Sequence, residues 1–283
     1  MNNEINKERN QEPQHPEFSL NLFSLDHRVA LVTGAGVGLG RVFARALATA
    51  KAKVVCADID LNIAQETAQK ITAAGGDALA LQVDVSDEGS VARLMADINK
   101  HYGPLDILVN NAGIATPPVR LHEMPVADWD RLHSVNTRGV FLCTRAALPF
   151  MLPRKKGVII SIASIAGLGG VSPKTPAVAV NYSSSKAAVI GFTRQAAAEY
   201  GNDGIRFNVI APGWHLGTQL GREAAPPSEQ ALHAFVAALN EATPLGRTGD
   251  PEELAGLLIY LASDASSFVT GQVIAHDGGW TAW

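Results

Sequence analysis

The chain has 283 residues, 47% of them hydrophobic and 18% charged, which supplies a sizeable core and excludes a wholly disordered protein. A net charge of −4 argues against a surface built to collect phosphate backbones, so no nucleic-acid partner is expected. Two cysteines, Cys56 and Cys143, are too few for a disulfide scaffold and point to reduced thiols in the cytoplasm, and no apolar run reaches the ~18 residues of a membrane span.

Residues 1–24 read as a polar, disordered extension. The stretch MNNEINKERNQEPQHP lacks the apolar region of a secretory signal, and Glu4, Glu8 and Glu12 set it apart from an acid-poor transit peptide. The alternative for its end is that Phe18, Leu20, Leu22, Phe23 and Leu25 dock on a neighbouring subunit. Past it, short apolar runs alternate with amphipathic stretches. Strands are predicted at 28–33, 53–58, 77–83, 106–110, 157–162, 206–211 and 272–275. Helical spacing appears at Leu39, Phe43, Ala46 and Leu47, then at Ala64, Ala68 and Ile71, then at Val91, Leu94, Met95 and Ile98. A long helix is predicted over 126–151, with others near 182–201, 228–240 and 250–262. Strands alternating with helices in this way predict an α/β chain, a doubly wound parallel sheet covered on both faces. No linker interrupts the alternation, so 25–283 is expected to be a single Rossmann-type domain. Its ligand crevice then lies at the carboxyl ends of the strands, and the residues just after those ends are the ones to search for chemistry.

The first strand runs into Thr33-Gly34-Ala35-Gly36-Val37-Gly38-Leu39-Gly40 and opens a helix. Glycines there permit a tight turn and close approach of a pyrophosphate to the helix N-terminus; by itself such a turn is also compatible with a merely sharp strand–helix corner. Asp58 ends the second strand about twenty residues on, where a carboxylate would bind a ribose diol. Its charge repels a 2′-phosphate, and neither Val37 nor Ile59 supplies a basic group, so NAD is expected over NADP.

The Thr-Gly-x-x-x-Gly-x-Gly spacing resembles that of the short-chain dehydrogenase/reductase family. The family's other signatures follow in order: Asn110-Asn111-Ala112-Gly113 after the fourth strand, Asn136 in SVNTRG, Ser164 after the fifth strand, Tyr182 and Lys186 in YSSSK, Pro212-Gly213 after the sixth strand, and VTGQVIAHDGG near the end. Tyr182 and Lys186 stand one helical turn apart and rise from one face. A phenol with a pKa near 10 is a poor base, and a neighbouring ammonium is expected to lower it. The resemblance implies that Tyr182 is the general acid/base and that Ser164 bonds the reacting oxygen. It further implies that Lys186 binds the nicotinamide ribose and that Asn136 holds a relay water. Ser161 and Ser183 to Ser185 are rivals to Ser164.

Cofactor contacts implied by position are Gly34, Gly36, Val37, Gly38, Leu39 and Gly40 at the turn, with Asp58 and Ile59 beside it. Asp84 and Val85 would hold the adenine, Asp84 being also a candidate helix cap. Asn111, Ala112 and Gly113 would flank the ribose and nicotinamide. Ile210 to Pro212 and Gly213 would place the nicotinamide, with Thr218, Tyr182 and Lys186 completing the set. The segment 214–247 corresponds to the family's substrate lid. There Trp214 and His215, with Ser164, are substrate candidates, Arg222 and His215 hinting at an oxygen-rich or anionic substrate; a His215 that merely faces solvent is the plain alternative. An insertion around Ser172–Pro176 lengthens the approach to Tyr182. The histidines show no metal-ligand spacing, so no metal is expected. The family's oligomer faces imply a homotetramer.

These readings combine into an NAD(H)-dependent oxidoreductase that interconverts a secondary alcohol and a ketone, running toward oxidation, on a small sugar, polyol or hydroxy acid. The alternatives are a 3-oxoacyl-thioester reductase and a non-catalytic dinucleotide-binding subunit.

Overall fold

The computed structural model describes residues 19–171, 179–218 and 228–282. Its seven strands are β1 (Val29–Thr33), β2 (Lys53–Asp58), β3 (Asp77–Gln82), β4 (Ile107–Asn110), β5 (Gly157–Ile162), β6 (Ile205–Pro212) and β7 (Val273–His276), in the order β3-β2-β1-β4-β5-β6-β7. Every pairing is parallel. Parallel neighbours need a crossover, and the helices that supply them are α1 (Gly38–Thr49), α2 (Leu61–Ala73), α3 (Glu88–Tyr102), α4 (Val126–His133), α5 (Gly139–Met151), α6 (Val180–Tyr200), α7 (Glu229–Ala242) and α8 (Leu254–Ala262).

The period-two alternation of a strand decides which helix each side chain meets. From β1, Ala30 and Val32 join Phe43 and Leu47 of α1 and Leu258 of α8. Val29 and Leu31 point the other way, toward Leu94 and Ile98 of α3 and Leu142 of α5. Two buried layers sandwich the sheet, and the chain reverses its direction of travel between β1 and β4, opening the crevice at their carboxyl ends. Cys56 in β2 and Cys143 in α5 are free and buried; burial pushes both thiols up to about 12, leaving them as small hydrophobes. Among the described residues no helix is long and apolar enough to cross a membrane.

Three departures from the sequence reading have local causes. Ordered chain begins ahead of Leu25: Ser19 caps a short 3-10 turn at Leu20–Phe23, and the Phe23 ring lies 6.4 Å from that of Tyr260. The long helix expected over 126–151 is interrupted by a π turn, Ser134–Arg138. The last helix starts as a 3-10 turn, Pro251–Glu253, closed by a capping box between Asp250 and Glu253. The extension up to Phe18, the insertion around Ser172–Pro176, and Arg222 with the neighbouring prolines lie outside the described residues.

Candidate active site

At the β1–α1 corner, Gly34 has φ +64 and a Cβ there would sit 2.9 Å from Ala112 Cα. Only glycine meets both demands. At Gly36 a Cβ would stand 2.9 Å from Asp58 Oδ2, and its backbone N–H donates to that same oxygen at 2.9 Å. No side chain caps α1 at Val37. The turn is therefore a bare backbone cradle at a helix N-terminus, with the carboxylate of Asp58, only 7% exposed, at its rim. That combination suits a pyrophosphate followed by a ribose diol. Arg41, a cation held at this turn, is committed: its Nε donates to Gly36 O at 2.9 Å and its Nη2 reaches Glu66 at 3.3 Å. Ile59, just past Asp58, is exposed.

The next strand ends are tied to this corner. Asn111 Nδ2 donates to the carbonyls of Thr33 at 2.9 Å and Gly34 at 3.1 Å, and Ala112 N donates to Thr33 Oγ1 at 3.1 Å. Asp84, after β3, accepts from Ser86 N at 2.8 Å and Ser86 Oγ at 2.7 Å, closing an Asx turn, while Val85 is buried. The N-cap of α3 is Asp87, so Asp84 is free of the capping role that the sequence allowed it.

Tyr182, Lys186 and Ser164 converge at the carboxyl end of β5. Ser164 caps a 3-10 turn at Ile165–Gly167, its Oγ accepting from Ala166 N at 3.1 Å. Its hydroxyl is close enough to the Tyr182 phenol to favour the ionised form. Three of the four rival serines are otherwise engaged or placed: Ser161 is buried inside β5, Ser184 Oγ meets His133 Nε2 at 3.2 Å, and Ser185 Oγ donates to Tyr182 O at 2.8 Å. The Lys186 ammonium donates to Ile162 O at 2.8 Å and lies 5.6 Å from the centroid of the Tyr182 ring.

The electrostatics correct the expectation of a lowered phenol. Burial pushes Tyr182 up to about 12, with the nearby Ser164 hydroxyl pulling in the other direction, and the same burial pushes Lys186 down to about 8. Desolvation outweighs the attraction between the two groups because the ammonium is turned to the Ile162 carbonyl. The first proton to leave the pair does so near pH 8. Below that the site is a proton donor, and above it the site holds one proton fewer and can accept one.

Asn136 occupies the π turn, only 1% exposed. Its Oδ1 accepts from Ile114 N at 2.8 Å; its Nδ2 donates to Ile114 O at 2.9 Å and to Ser185 Oγ at 3.2 Å. The amide is thus a clamp between the loop after β4 and α6. The π turn explains how a helix accommodates it, by widening one turn of the ladder.

At the β6–β7 edge, Gly213 N donates to His276 O at 3.0 Å. His215 is 8% exposed, so it does not face solvent. Its Nδ1 lies 3.2 Å from Gly213 O and its Nε2 lies 3.1 Å from His276 Nδ1. Both ring nitrogens are engaged within the protein, while the neighbouring Trp214 is half-buried. Trp214 packs edge-on against Phe235 at 5.8 Å and Trp280 at 5.7 Å. Thr218 is the last residue described before the segment 219–227. His276 escaped the sequence reading because nothing in IAHDGG marks it; only the pairing of β6 with β7 brings it beside His215. Among the described residues no cluster of His, Cys, Asp and Glu could hold a metal ion.

Known proteins resemble this chain along most of its length. The family model described as enoyl-(acyl carrier protein) reductase matches residues 34–281. The cis-4-hydroxycyclohexanecarboxylate dehydrogenase of Sinomonas cyclohexanicum is 43% identical over 256 residues, covering 90% of this chain and 97% of that one. A short-chain type dehydrogenase/reductase from Mycobacterium marinum superposes with a TM-score of 0.85 at 37% identity, covering 93% of this chain and 99% of that one. A gluconate 5-dehydrogenase from Burkholderia cenocepacia J2315, solved with NADP and tartrate, gives a TM-score of 0.85 at 36% identity, covering 94% of this chain and 100% of that one.

Proposed function

The chain belongs to the short-chain dehydrogenase/reductase family and is an oxidoreductase acting on CH–OH groups; on that premise we propose that it is NAD(H)-dependent and oxidises a small hydroxy acid, sugar or polyol to the ketone. The observation that carries the reading is the buried phenol of Tyr182, with Ser164 beside it and the Lys186 ammonium 5.6 Å from its ring centroid. The dinucleotide supplies the hydride acceptor or donor. The glycine turn from Gly34 to Gly40 would hold its pyrophosphate, Asp58 its adenine ribose, and Asn111 to Gly113 with Pro212 and Gly213 the nicotinamide side. Tyr182 takes the proton of the substrate hydroxyl, or returns one to a forming alkoxide. Ser164 orients the oxygen that gains or loses that proton. In the oxidative direction Lys186, neutral once it has released its proton, accepts the phenol's proton as Tyr182 takes the substrate's and passes it outward, with Asn136 setting the geometry behind it.

NAD is favoured over NADP by Asp58, fixed at the rim by the Gly36 N–H, and by the commitment of Arg41 to Gly36 and Glu66. The NADP in the Burkholderia relative favours a second reading in which this chain takes both. Hydroxy acids lead the substrate list because two relatives carry hydroxy-acid names, cis-4-hydroxycyclohexanecarboxylate and gluconate. A homotetramer in the cytoplasm completes the proposal.

The test is reduced-cofactor formation with NAD⁺ and NADP⁺ across hydroxy acids, sugars, polyols and aryl alcohols, with a 3-oxoacyl thioester and NADH or NADPH as the reductive arm. Turnover of a hydroxy acid with NAD⁺ preferred is the expected result. A preference for NADP⁺ would overturn the cofactor assignment. Thioester reduction alone would make the chain a 3-oxoacyl reductase, and silence in every arm with intact dinucleotide binding would make it a non-catalytic subunit.

A further inference from the structure

The first turn of α6, which carries Tyr182, is joined to the loop after β4 by a buried polar pair outside the proposed site residues. Asn181 is 0% exposed and Thr116 is 5% exposed. Asn181 Nδ2 donates to Thr116 Oγ1 at 3.0 Å, and Thr116 Oγ1 donates to Asn181 Oδ1 at 3.2 Å. The same Oδ1 accepts from the backbone N–H of Tyr182 at 2.8 Å. One amide therefore reads both the loop and the peptide group of the tyrosine itself. Around Tyr182 the packing is apolar, with Leu132, Ala166, Ile114, Ala115 and Val171. A buried amide and hydroxyl in such a place cost free energy unless each is bonded, and an aliphatic pair of the same size would pack there without that requirement.

The helix face shows what the pair joins. Asn181, Ser184 and Ser185 recur at i, i+3 and i+4 and share one face of α6. Each meets a different element: Thr116 in the loop, His133 at the end of α4, and Asn136 in the π turn. Tyr182 and Lys186 are offset by one residue from two of them. A rotation of α6 about its axis that swung the phenol would therefore break these bonds, the one at Thr116 among them.

We propose that Asn181 and Thr116 are positioning residues, an amide–hydroxyl pair that fixes the Tyr182 phenol relative to the loop following β4, so that the hydroxyl of Thr116 serves the proton-transfer step without touching substrate. The inference rests on the reading of Tyr182 as the acid/base. A displacement of a reacting group by about 1 Å can cost on the order of 100-fold in rate, so loss of the pair is expected to lower kcat by about 10- to 100-fold.

Isosteric substitution separates this role from packing. Thr116→Val keeps the volume and removes the hydroxyl; Thr116→Ser keeps the hydroxyl and removes a methyl group. Asn181→Leu keeps the approximate volume and removes both the bond to Thr116 and the acceptor for the Tyr182 N–H. Steady-state kinetics, NADH binding by fluorescence and thermal unfolding would be measured for each. Thr116→Val is expected to lose kcat about 10- to 100-fold with KM and NADH affinity little changed, Thr116→Ser to restore most of it, and Asn181→Leu to lose at least as much as Thr116→Val. The inference is overturned if Thr116→Val matches the wild type in kcat, or if Thr116→Ser is the more damaged of the two, which would make the residue a packing element. Wild-type protein with no turnover on any alcohol or ketone would instead defeat the reading of Tyr182, so the two failures are distinguishable.

Discussion

The corner around Tyr182 and the edge formed by β6, β7 and α7 border the same crevice but are built differently. At the Tyr182 corner the side chains that matter are buried and tied reciprocally: Asn136 makes three bonds through one amide, Asn181 and Thr116 bond each other, and Lys186 donates to a strand carbonyl. At the other edge, α7 buries only Leu239 and leans on Trp214 through Phe235. Its base is held by the His215–His276 contact and by Gly249, where a Cβ would meet the His215 ring at 2.7 Å. Proton transfer requires atoms placed to within a fraction of an ångström, whereas substrate capture requires a wall that adjusts. The difference in construction matches that division of labour.

Perturbing the rigid corner should therefore have the largest effects. Tyr182→Phe removes the proton-carrying oxygen and keeps the ring, so turnover should fall about a thousand-fold while NADH affinity, measured by fluorescence, stays within a factor of a few. A variant that remains within ten-fold of the wild type would place the acid/base elsewhere. Next in size is the cradle. Asp58→Asn keeps an acceptor for the Gly36 N–H and removes the charge, so the NAD⁺/NADP⁺ ratio of kcat/KM should fall about 10- to 100-fold, the worth of a hydrogen bond to a charged group. An unchanged ratio would remove Asp58 from cofactor selection.

Smaller effects are expected at the adaptable edge. Gly249→Ala forces the His215 ring to shift, which should cost about 1–3 kcal/mol in thermal unfolding and raise KM for substrate more than it lowers kcat. The smallest effect is a pH dependence. Burial holds His215 below the usual histidine value, opposed by the Gly213 carbonyl and by Glu253 and Asp250. The unfolded chain then takes up a proton below about pH 6.5 that the folded chain refuses, so stability is lost as pH falls through that range. Between about pH 7.5 and 5.5 the wild type should lose on the order of 2 °C of Tm more than His215→Asn; equal slopes would show that the imidazole pair contributes nothing.

Much of this was legible from sequence because it is local. The strand ends fell within a residue or two of their observed places because parallel strands buried on both faces read as continuous apolar runs, and β2 and β5 have the predicted bounds. The glycine turn, Asp58 and the Tyr182–Lys186 spacing are likewise written in short segments. The π turn at Ser134–Arg138 left no periodicity signal, since widening one turn shifts the apolar stripe by a single residue, and the Ile114 backbone that its Asn136 bonds is far away in sequence. The His215–His276 contact and the Thr116–Asn181 pair join segments with no shared motif, and only strand order and helix placement bring them together. His215, assigned from sequence to substrate, proves to have both nitrogens engaged within the protein, a fact that only the register of β6 against β7 could reveal.

The account centres on a single proton-handling unit of Tyr182 and Lys186 that serves both directions of the reaction. Its most direct test is the pH dependence of kcat for alcohol oxidation and for reduction of the matching ketone by the wild-type protein. The unit releases its first proton near pH 8, so oxidation should rise with pH through that value while reduction falls through the same window. Profiles that are flat, or that move in the same direction, would contradict it.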